Sequence, residues 1–275
     1  MIQDQFEYDP TFPFEIRDVV QRPKGKALVR DFTYASPFGR RRAAYLVRPE
    51  KSPPEALAAI LYVHWYEPES QHSNRTQFLD EAVQLAGRGV VSLLVETMWS
   101  DRDWFIKRTQ AEDYQNSVEQ VVELRQAMDL LLAQPDVDPE RFAFVGHDFG
   151  AMYGVLMGAV DPRPKAYVLM AGTPRFPEWY LYYPPLQGEA LQAYLDSIEP
   201  LDPILQVAAL APAPLLFQFG DDDFHVPVER GQEFYDAAGE PKEIRWYQSG
   251  HGLNQLADIE RVKWLAQQLS LAADP

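Results

Sequence analysis

Residues 145–151 read VGHDFGA, and this stretch decides the fold class of the chain. Glycines two positions before and two positions after a polar residue are the pattern of a nucleophile elbow, a sharp turn from a strand into a helix. The turn brings backbone segments close together, so small residues are required at Gly146 and Gly150. Asp148 stands where serine is usual, and the start of a helix favours its ionised form. The motif predicts Asp148 exposed above a central sheet.

The segments around the elbow fit such a turn. Residues 141–145 are an apolar run typical of a buried strand, and residues 151–159 are small and apolar, as in a buried helix. A glycine-flanked aspartate is also compatible with an ordinary turn or a helix N-cap, because the pattern is short enough to occur by chance. Two later motifs favour catalysis over this alternative.

The later motifs supply an acid and a histidine. Residues 215–220 form a strand pattern that ends in glycine, and the acidic loop 221–227 follows it. A second strand pattern starts at Ile244 and leads into a Gly-His loop that contains His251. Nucleophile, acid and histidine thus follow one another in this order at strand ends, as the catalytic triad of α/β-hydrolases requires.

On these motifs the chain resembles the α/β-hydrolases over roughly residues 26–270, with a layout most similar to the dienelactone hydrolase and prolyl oligopeptidase-like branch. The resemblance implies an α/β fold with a mostly parallel central sheet and helices on both faces. Asp223 matches the family pattern Gly-x-x-Asp-x-x-Val, and His251 matches the Gly-His loop. The implied catalytic residues are Asp148, Asp223 and His251.

The rest of the chain predicts the arrangement of the domain. Alternating apolar residues over 27–34 and 42–48 predict an antiparallel hairpin near the N-terminus. Apolar strands at 57–63 and 90–95, with an amphipathic stretch between them, predict a βαβ unit. We expect an N-terminal arm over residues 1–24 and a single domain over 25–275, with a short cap-like excursion at 173–213.

Composition restricts the class of protein. A chain of 275 residues with 46% hydrophobic residues can bury a large core. Neither a run of about 18 apolar residues nor a signal-peptide pattern is visible, so we expect no membrane span and take the cytoplasm as the default location. The net charge of −16 argues against nucleic acid and anionic membranes as partners. The expected partner is a small-molecule substrate, and a homodimer is compatible with the sequence.

No metal and no cofactor is expected. The absence of cysteine excludes disulfides and thiol chemistry, and the five histidines contain no pair with the spacing of a metal site. We interpret His147 as a neighbour of the elbow and His72 and His225 as loop residues. Only His64 is expected to shape the site.

An aspartate nucleophile restricts the chemistry. Attack on an ester carbonyl would give an anhydride that returns to reactants, whereas attack on an sp3 carbon gives an alkyl-enzyme ester that water can hydrolyse. Epoxides and carbon-halogen bonds are therefore the favoured substrates. Asp148 would displace the leaving atom, His251 would deprotonate water, and Asp223 would stabilise the imidazolium. The elbow is similar to that of epoxide hydrolases and haloalkane dehalogenases, which mostly carry Trp at the position of Phe149.

Three residues are candidates for stabilising an oxyanion or a leaving group. The ring of Phe149 has no donor for a halide, but its backbone N–H can serve an oxyanion hole. The second donor is expected from residues 64–68, where the family has a His-Gly-x-Pro-like sequence and this chain has HWYEP. Trp65 and Tyr66 are therefore candidate donors, and the alternative is that their rings only line the pocket.

Two aromatic segments supply the expected pocket. In the excursion, tyrosine hydroxyls would hydrogen-bond an opening epoxide oxygen, although such a cluster also fits simple packing. In the loop over residues 98–108, Arg102 or Arg108 would bind a substrate carboxylate or pair with nearby acids. The candidate pocket residues are His64, Trp99, Arg102, Trp104, Tyr180, Tyr182 and Tyr183.

Three functions remain open on the sequence. The favoured one is hydrolysis of epoxides or organohalides through an Asp148 ester. The second is an esterase, lactonase or peptidase-like hydrolase in which Asp148 acts as a base for water. The third is a catalytically silent binding protein, against which the retention of both Asp223 and His251 argues.

Overall fold

The computed structural model describes residues 2–51 and 55–272, and its central feature is a nine-stranded sheet. The strands are β1 (Arg17–Lys24), β2 (Ala27–Ala35), β3 (Arg41–Pro49), β4 (Leu57–Val63), β5 (Val90–Val95), β6 (Val137–His147), β7 (Ala166–Met170), β8 (Leu215–Gly220) and β9 (Lys242–Tyr247). The helices are α1 (Leu79–Ala86), α2 (Trp104–Lys107), α3 (Asp113–Leu132), α4 (Phe149–Val160), α5 (Pro177–Tyr180), α6 (Gly188–Ile198), α7 (Pro203–Gln206), α8 (Val228–Ala237) and α9 (Gln255–Gln268).

The sheet has the order β1-β2-β3-β5-β4-β6-β7-β8-β9. Strands β1, β2, β3 and β5 pair antiparallel, and all pairs from β5 to β9 are parallel. The carboxyl ends of the parallel strands therefore lie at one edge of the sheet, where the loops of the expected site meet. The predicted α/β class, the mostly parallel sheet and the antiparallel hairpin, which is β2 with β3, are confirmed.

The core lies on both faces of the sheet, as strand β4 shows. Leu57, Leu61 and Val63 belong to the cluster that packs against α3 and α4, whereas Ile60 and Tyr62 belong to the cluster that packs against α1 and α9. Every residue of β4 is buried. A strand covered by helices on both faces must be apolar throughout, which explains its uninterrupted apolar sequence.

The N-terminal segment contributes to the sheet. Of the arm expected over residues 1–24, residues 17–24 form the edge strand β1, and residue 1 lies outside the described residues. Phe6 is buried in the core, and Arg125 of α3 donates to its carbonyl oxygen at 2.7 Å. The arm is therefore packed on the domain. Of the domain expected over 25–275, residues 52–54 and 273–275 lie outside the described part of the chain.

The excursion between β7 and β8 is short and is tied to the core. It contains α5, α6 and α7, and the guanidinium of Arg108 donates to the backbone carbonyls of Tyr180 and Tyr183. Arg108 is itself paired with Asp113 of α3, which also accepts the hydroxyl of Tyr194 from α6. These buried polar contacts fix the excursion beside the end of the sheet that carries the elbow.

Candidate active site

The elbow lies where β6 ends and α4 begins, with Asp148 between them. The backbone of Asp148 has φ 56° and ψ −119°, a strained conformation for a residue with a side chain. A Cβ at Gly146 would lie 2.4 Å from the Gly150 carbonyl oxygen, and a Cβ at Gly150 would lie 2.2 Å from that of Val63. Close backbone approach therefore requires both glycines, as expected from the sequence.

The Asp148 side chain is fully buried, whereas we expected it to be exposed. The backbone N–H of Tyr66 donates to its Oδ2 at 3.0 Å, and among the described residues Oδ1 has no hydrogen-bond partner. Burial raises the pKa of Asp148 to about 7, although His251 and the N–H groups of Tyr66 and Phe149 act in the opposite direction. The loss of water thus outweighs the helix N-terminus, which we expected to keep this carboxyl ionised.

Asp223 and His251 form an acid-histidine pair. The Nδ1 of His251 lies 2.8 Å from Asp223 Oδ2, and Asp223 Oδ1 accepts the backbone N–H groups of His225 and Val226 at 2.8 and 3.2 Å. Burial acts to raise the pKa of Asp223, but these hydrogen bonds hold it below its usual value. Burial likewise opposes a charged His251, but both carboxylates keep its pKa above the usual value. Nε2 of His251 has no partner within the described chain and is available to accept a proton.

We call residues 64–68 the oxyanion loop, because its Tyr66 N–H binds Asp148. Of the two expected donors in this loop, the backbone N–H of Tyr66 faces the site, and the Tyr66 hydroxyl donates to a carbonyl elsewhere. Both N–H groups of Trp65 are engaged, the backbone one with Gln77 Oε1 at 3.0 Å and the indole one with the His72 carbonyl at 3.3 Å. Trp65 therefore supplies an aromatic surface and no donor.

His64 orients the peptide that makes this contact. Its Nδ1 donates to the Trp65 carbonyl oxygen at 2.7 Å, and its Nε2 lies 2.9 Å from Ser100 Oγ and 3.1 Å from Thr97 Oγ1. Burial lowers the pKa of His64 to about 4, so the ring is neutral near pH 7. The Trp65–Tyr66 peptide is thus held by His64 at its oxygen, while its N–H binds Asp148.

Three of the expected pocket aromatics surround Phe149. The ring centroids of Trp99 and Trp104 each lie 5.5 Å from that of Phe149, and the Tyr180 ring lies at 5.7 Å. Trp99 is buried, and its indole N–H donates to the His64 carbonyl at 3.1 Å. These rings make the elbow side of the site dry and apolar.

The excursion tyrosines differ from one another. The hydroxyl of Tyr180 is bonded to Tyr153 and lies 3.2 Å from Ser117, so it is committed to the core. Tyr182 and Tyr183 are each 51% exposed, and the Tyr182 ring lies 6.2 Å from that of His225 at the site. Only Tyr182 of the three therefore combines an exposed side chain with a location beside the loop that carries Asp223 and His225.

The expected cations do not reach the reacting groups. Arg102 lies at the surface and donates to the Pro68 carbonyl at 2.7 Å. Arg108 is buried in its ion pair with Asp113 and in its bonds to the excursion backbone. Of the two roles considered for Arg108, pairing with a nearby acid is the one that the structure shows.

Trp179 and His225 are site residues that the sequence reasoning missed. The Trp179 ring lies 5.2 Å from His225 and 5.4 Å from His251, and its side chain is buried. Its indole N–H and the Nδ1 of His225 both lack a partner within the described residues. The available signals were the aromatic run around Trp179 and the position of His225 two residues after Asp223. The rings of Trp179, His225 and His251 are in mutual contact, and each has a polar atom without a partner among the described residues.

In residues 2–51 and 55–272 no group of three or more His, Asp or Glu side chains is arranged to hold a metal ion. Within the same ranges no helix is long and apolar enough to span a membrane.

Comparison with known proteins identifies the fold. No family model matches the chain. Two uncharacterized proteins of Mycobacterium tuberculosis are 34% identical over 121 residues, and this match spans 43% of the chain and 40% of each relative. Acetyl xylan esterase 1 from Thermoanaerobacterium sp. JW/SL YS485 superposes with a TM-score of 0.77 at 13% identity, over 96% of this chain and 91% of that one.

Two further solved structures agree with this result. Acetyl xylan esterase from Paenibacillus sp. R4 has a TM-score of 0.74 at 17% identity, over 93% of this chain and 89% of that one. The α/β hydrolase GrgF from Penicillium sp. sh18 has a TM-score of 0.62 at 14% identity, over 87% and 98% of the two chains. With its parallel sheet and strand-end loops, the chain has the α/β-hydrolase fold.

Proposed function

We propose that the chain is a hydrolase of small, neutral organic molecules in which Asp148 is a nucleophile, acting on an epoxide or a carbon-halogen bond. One observation carries this proposal: the Tyr66 N–H, at 3.0 Å, binds the carboxylate oxygen of Asp148 itself. In an acyl-transfer enzyme that donor serves the substrate carbonyl. Here it instead suits an oxyanion that develops on the Asp148 carboxyl. One domain over residues 25–275, with the excursion at 173–213 as its cap, would hold the site.

The first step uses the other carboxylate oxygen. Oδ1 has no partner in the described chain, so its lone pair can attack an sp3 carbon. A bond forms between Oδ1 and that carbon, and the bond from carbon to the leaving oxygen or halide breaks, with its electron pair going to the leaving atom. The product is an alkyl ester of Asp148.

The second step hydrolyses this ester. Nε2 of His251 takes a proton from water, and the water oxygen attacks Cγ of Asp148. Negative charge develops on Oδ2, where the Tyr66 N–H already points and the Phe149 N–H lies close by. The bond from Cγ to the alkyl oxygen then breaks, and the His251 proton passes to the departing alcohol. The regenerated Asp148 carboxyl gives up its proton, to the alkoxide of an opened epoxide or to solvent when a halide has left, and returns to the carboxylate. Asp223, 2.8 Å from Nδ1, stabilises the imidazolium.

A neutral substrate fits the surroundings of Asp148. The ring of Trp104 lies beside Phe149, that of Trp179 beside His251, and that of Tyr182 beside Trp179. The guanidinium of Arg108, which lies 5.9 Å from the Trp104 ring, is already neutralised by Asp113. A substrate carboxylate would meet no unpaired guanidinium from Arg108 and would be repelled by Asp148, which argues against haloacids.

The test is intact mass spectrometry of the His251→Gln variant. Without its base the variant cannot activate water, so incubation with small epoxides and haloalkanes should leave a stable ester on the Asp148 peptide. The adduct mass is that of the whole epoxide, or of the haloalkane less HX. The matched control His251→Gln with Asp148→Asn should give no adduct. Absence of any adduct from the first variant, with binding of the same compounds demonstrated, would contradict the nucleophile role.

A second candidate is an esterase or lactonase in which Asp148 activates water. Two observations favour it: a pKa of about 7 suits a general base near neutral pH, and two of the similar solved structures are acetyl xylan esterases. Turnover in ¹⁸O-labelled water separates the candidates when an epoxide or haloalkane and an activated ester are each supplied as substrate. Turnover of the epoxide or haloalkane by the nucleophile mechanism places ¹⁸O in the Asp148 carboxyl, whereas turnover of the ester by the water-base mechanism places it only in the released acid. A silent binding protein would show neither label nor adduct.

A further inference from the structure

A chain of hydrogen bonds runs from the oxyanion loop to the loop that carries the catalytic histidine, residues 248–253. The backbone N–H of Trp65 donates to Gln77 Oε1 at 3.0 Å. The Gln77 amide nitrogen lies 2.6 Å from His147 Nδ1, and His147 Nε2 lies 2.9 Å from the His251 carbonyl oxygen. Both ends of the chain are backbone groups, and both middle members are side chains outside the triad.

The end groups determine every donor and acceptor in between. A backbone N–H can only donate, so the Gln77 atom facing Trp65 is the amide oxygen, and its NH2 group faces His147. His147 Nδ1 must then accept and cannot carry a proton. The carbonyl of His251 can only accept, so His147 Nε2 carries the proton and donates. The arrangement is satisfied only by neutral His147 in its Nε2–H tautomer.

The surroundings of His147 agree with that assignment. Its side chain is fully buried, and burial together with the nearby His251 holds the pKa of His147 well below its usual value. A second proton on the His147 ring, at Nδ1, would point at the Gln77 NH2 group. His147 therefore stays neutral while His251, whose ring centroid is 5.2 Å away, gains and loses its proton.

Aromatic stacking reinforces the same connection. The indole of Trp65 stacks on the rings of His147 and His251, with centroids 4.9 and 5.6 Å apart. The position that a Cβ would take at Gly252 lies 3.4 Å from the same indole. The side of the His251 loop that faces the oxyanion loop is thus held by packing as well as by hydrogen bonds.

We infer that Gln77 and His147 are positioning residues for His251, which keep its ring on Asp223 by holding its backbone carbonyl. Asp223 contacts the His251 ring at Nδ1 only. The rotation and tilt of residues 248–253 must therefore be fixed by contacts to their backbone. Precise placement of the base matters because misplacement of about 1 Å can cost about 100-fold in rate. The catalytic consequence rests on the proposed function, whereas the hydrogen-bonded chain and its effect on the His251 ring do not.

The test compares histidine ¹⁵N and ¹H NMR signals in matched variants. His147→Phe keeps a ring for Trp65 to stack on and removes both hydrogen bonds. His225→Phe is the control, because the His225 ring lies 5.3 Å from that of His251 and its side chain makes no hydrogen bond to the His251 loop among the described contacts. Gln77→Leu breaks the chain at a half-buried position, where folding is more tolerant.

In the wild type we expect His147 in the neutral Nε2–H tautomer and a slowly exchanging Nδ1–H signal from His251. In His147→Phe and Gln77→Leu the exchange of that His251 proton with water should become at least about tenfold faster, because the ring is held less firmly on Asp223. In His225→Phe it should be unchanged. A charged His147, or equal exchange in all three variants, would overturn the inference.

An activity readout separates this inference from the proposed function. If Asp148 is alkylated, His147→Phe should accumulate part of the ester that His251→Gln accumulates in full, since alkylation does not use His251 and hydrolysis does. If His251→Gln gives no adduct, the proposed function fails, and the NMR comparison still decides the role of Gln77 and His147.

Discussion

The elbow and the excursion lie on two sides of the Asp148 site and are held by different contacts. At the elbow, backbone segments contact one another directly. An added Cβ would approach carbonyl oxygens to 2.4 Å at Gly146 and 2.2 Å at Gly150. The excursion contacts the site through aromatic rings, such as that of Trp179, whose centroid lies 5.7 Å from that of Phe149. Backbone contacts cannot adjust to an added carbon, whereas rings can shift. Substitutions of the elbow glycines should therefore act on folding, whereas substitutions of the excursion rings that face the site should act on chemistry.

The largest effect is expected at the elbow, for Gly150→Ala. Its methyl group would overlap the Val63 carbonyl on strand β4, and separating the elbow from that strand should cost at least about 4 kcal/mol in the free energy of unfolding. Urea denaturation followed by circular dichroism measures this. The matched control is Gly250→Ala, whose Cβ would have an ordinary contact at 3.7 Å and should change stability by less than about 1 kcal/mol. Similar costs for both variants would refute the contrast.

A smaller, pH-dependent effect is expected for Asp148→Asn. The pKa of Asp148 is raised to about 7 in the fold, so the folded state holds this proton more tightly than the unfolded chain. Stability from this group is present below about pH 4 and is lost as the pH rises toward about 7. A rise of about three units in the pKa of Asp148 corresponds to about 4 kcal/mol of stability that is lost at alkaline pH and that a neutral Asn would recover. The amide N–H that replaces Oδ1 has no partner, and its burial offsets part of this gain.

Asp148→Asn should therefore stabilise the protein by about 2 kcal/mol at pH 8 and give no gain near pH 4. Urea titrations of both proteins at the two pH values measure the difference. Asp202, a buried carboxyl away from the elbow whose pKa burial also raises to about 7, provides a comparison through Asp202→Asn. A gain for Asp148→Asn that does not depend on pH would contradict a buried, proton-binding nucleophile.

The elbow could be predicted from sequence because its requirements are local. Gly146, Asp148 and Gly150 are specified by backbone geometry within one turn, and the positions of strands follow from apolar runs such as that of β4. The acid and the histidine were found for the same reason, since each ends a strand at the shared edge of the sheet. Positions set by the backbone of regular elements are visible in a single sequence.

The side-chain environment of the site could not be predicted in the same way. The burial of Asp148 is a result of tertiary packing, and it raises the pKa of Asp148 against the effect of the helix N-terminus. Tyr180 and Trp179 are adjacent in the chain, yet the hydroxyl of Tyr180 is committed to Tyr153 while the indole N–H of Trp179 is unpartnered among the described residues. Which of two neighbouring aromatics offers a donor is decided by tertiary packing.

The smallest expected effects compare these two neighbours, through Trp179→Phe and Tyr180→Phe. Trp179→Phe removes the unpartnered N–H and keeps a ring beside His251, so it should lower kcat/KM about tenfold, which corresponds to about 1.4 kcal/mol, if that N–H binds the leaving atom. Stability should change little, since no protein hydrogen bond is lost. Tyr180→Phe removes a hydroxyl bonded to Tyr153 and Ser117 and should lower stability by about 1 kcal/mol.

The activity of Tyr180→Phe should stay within about twofold of the wild type, because its hydroxyl already serves the core. Thermal unfolding and the rate of alkylation at Asp148 measure the two effects side by side. The excursion would then contain one residue that acts on chemistry and one that acts on folding, one position apart. If Tyr180→Phe lost activity and Trp179→Phe did not, the leaving atom would be held by the tyrosine cluster, and an epoxide oxygen bound by phenolic hydroxyls would become the better description of the site.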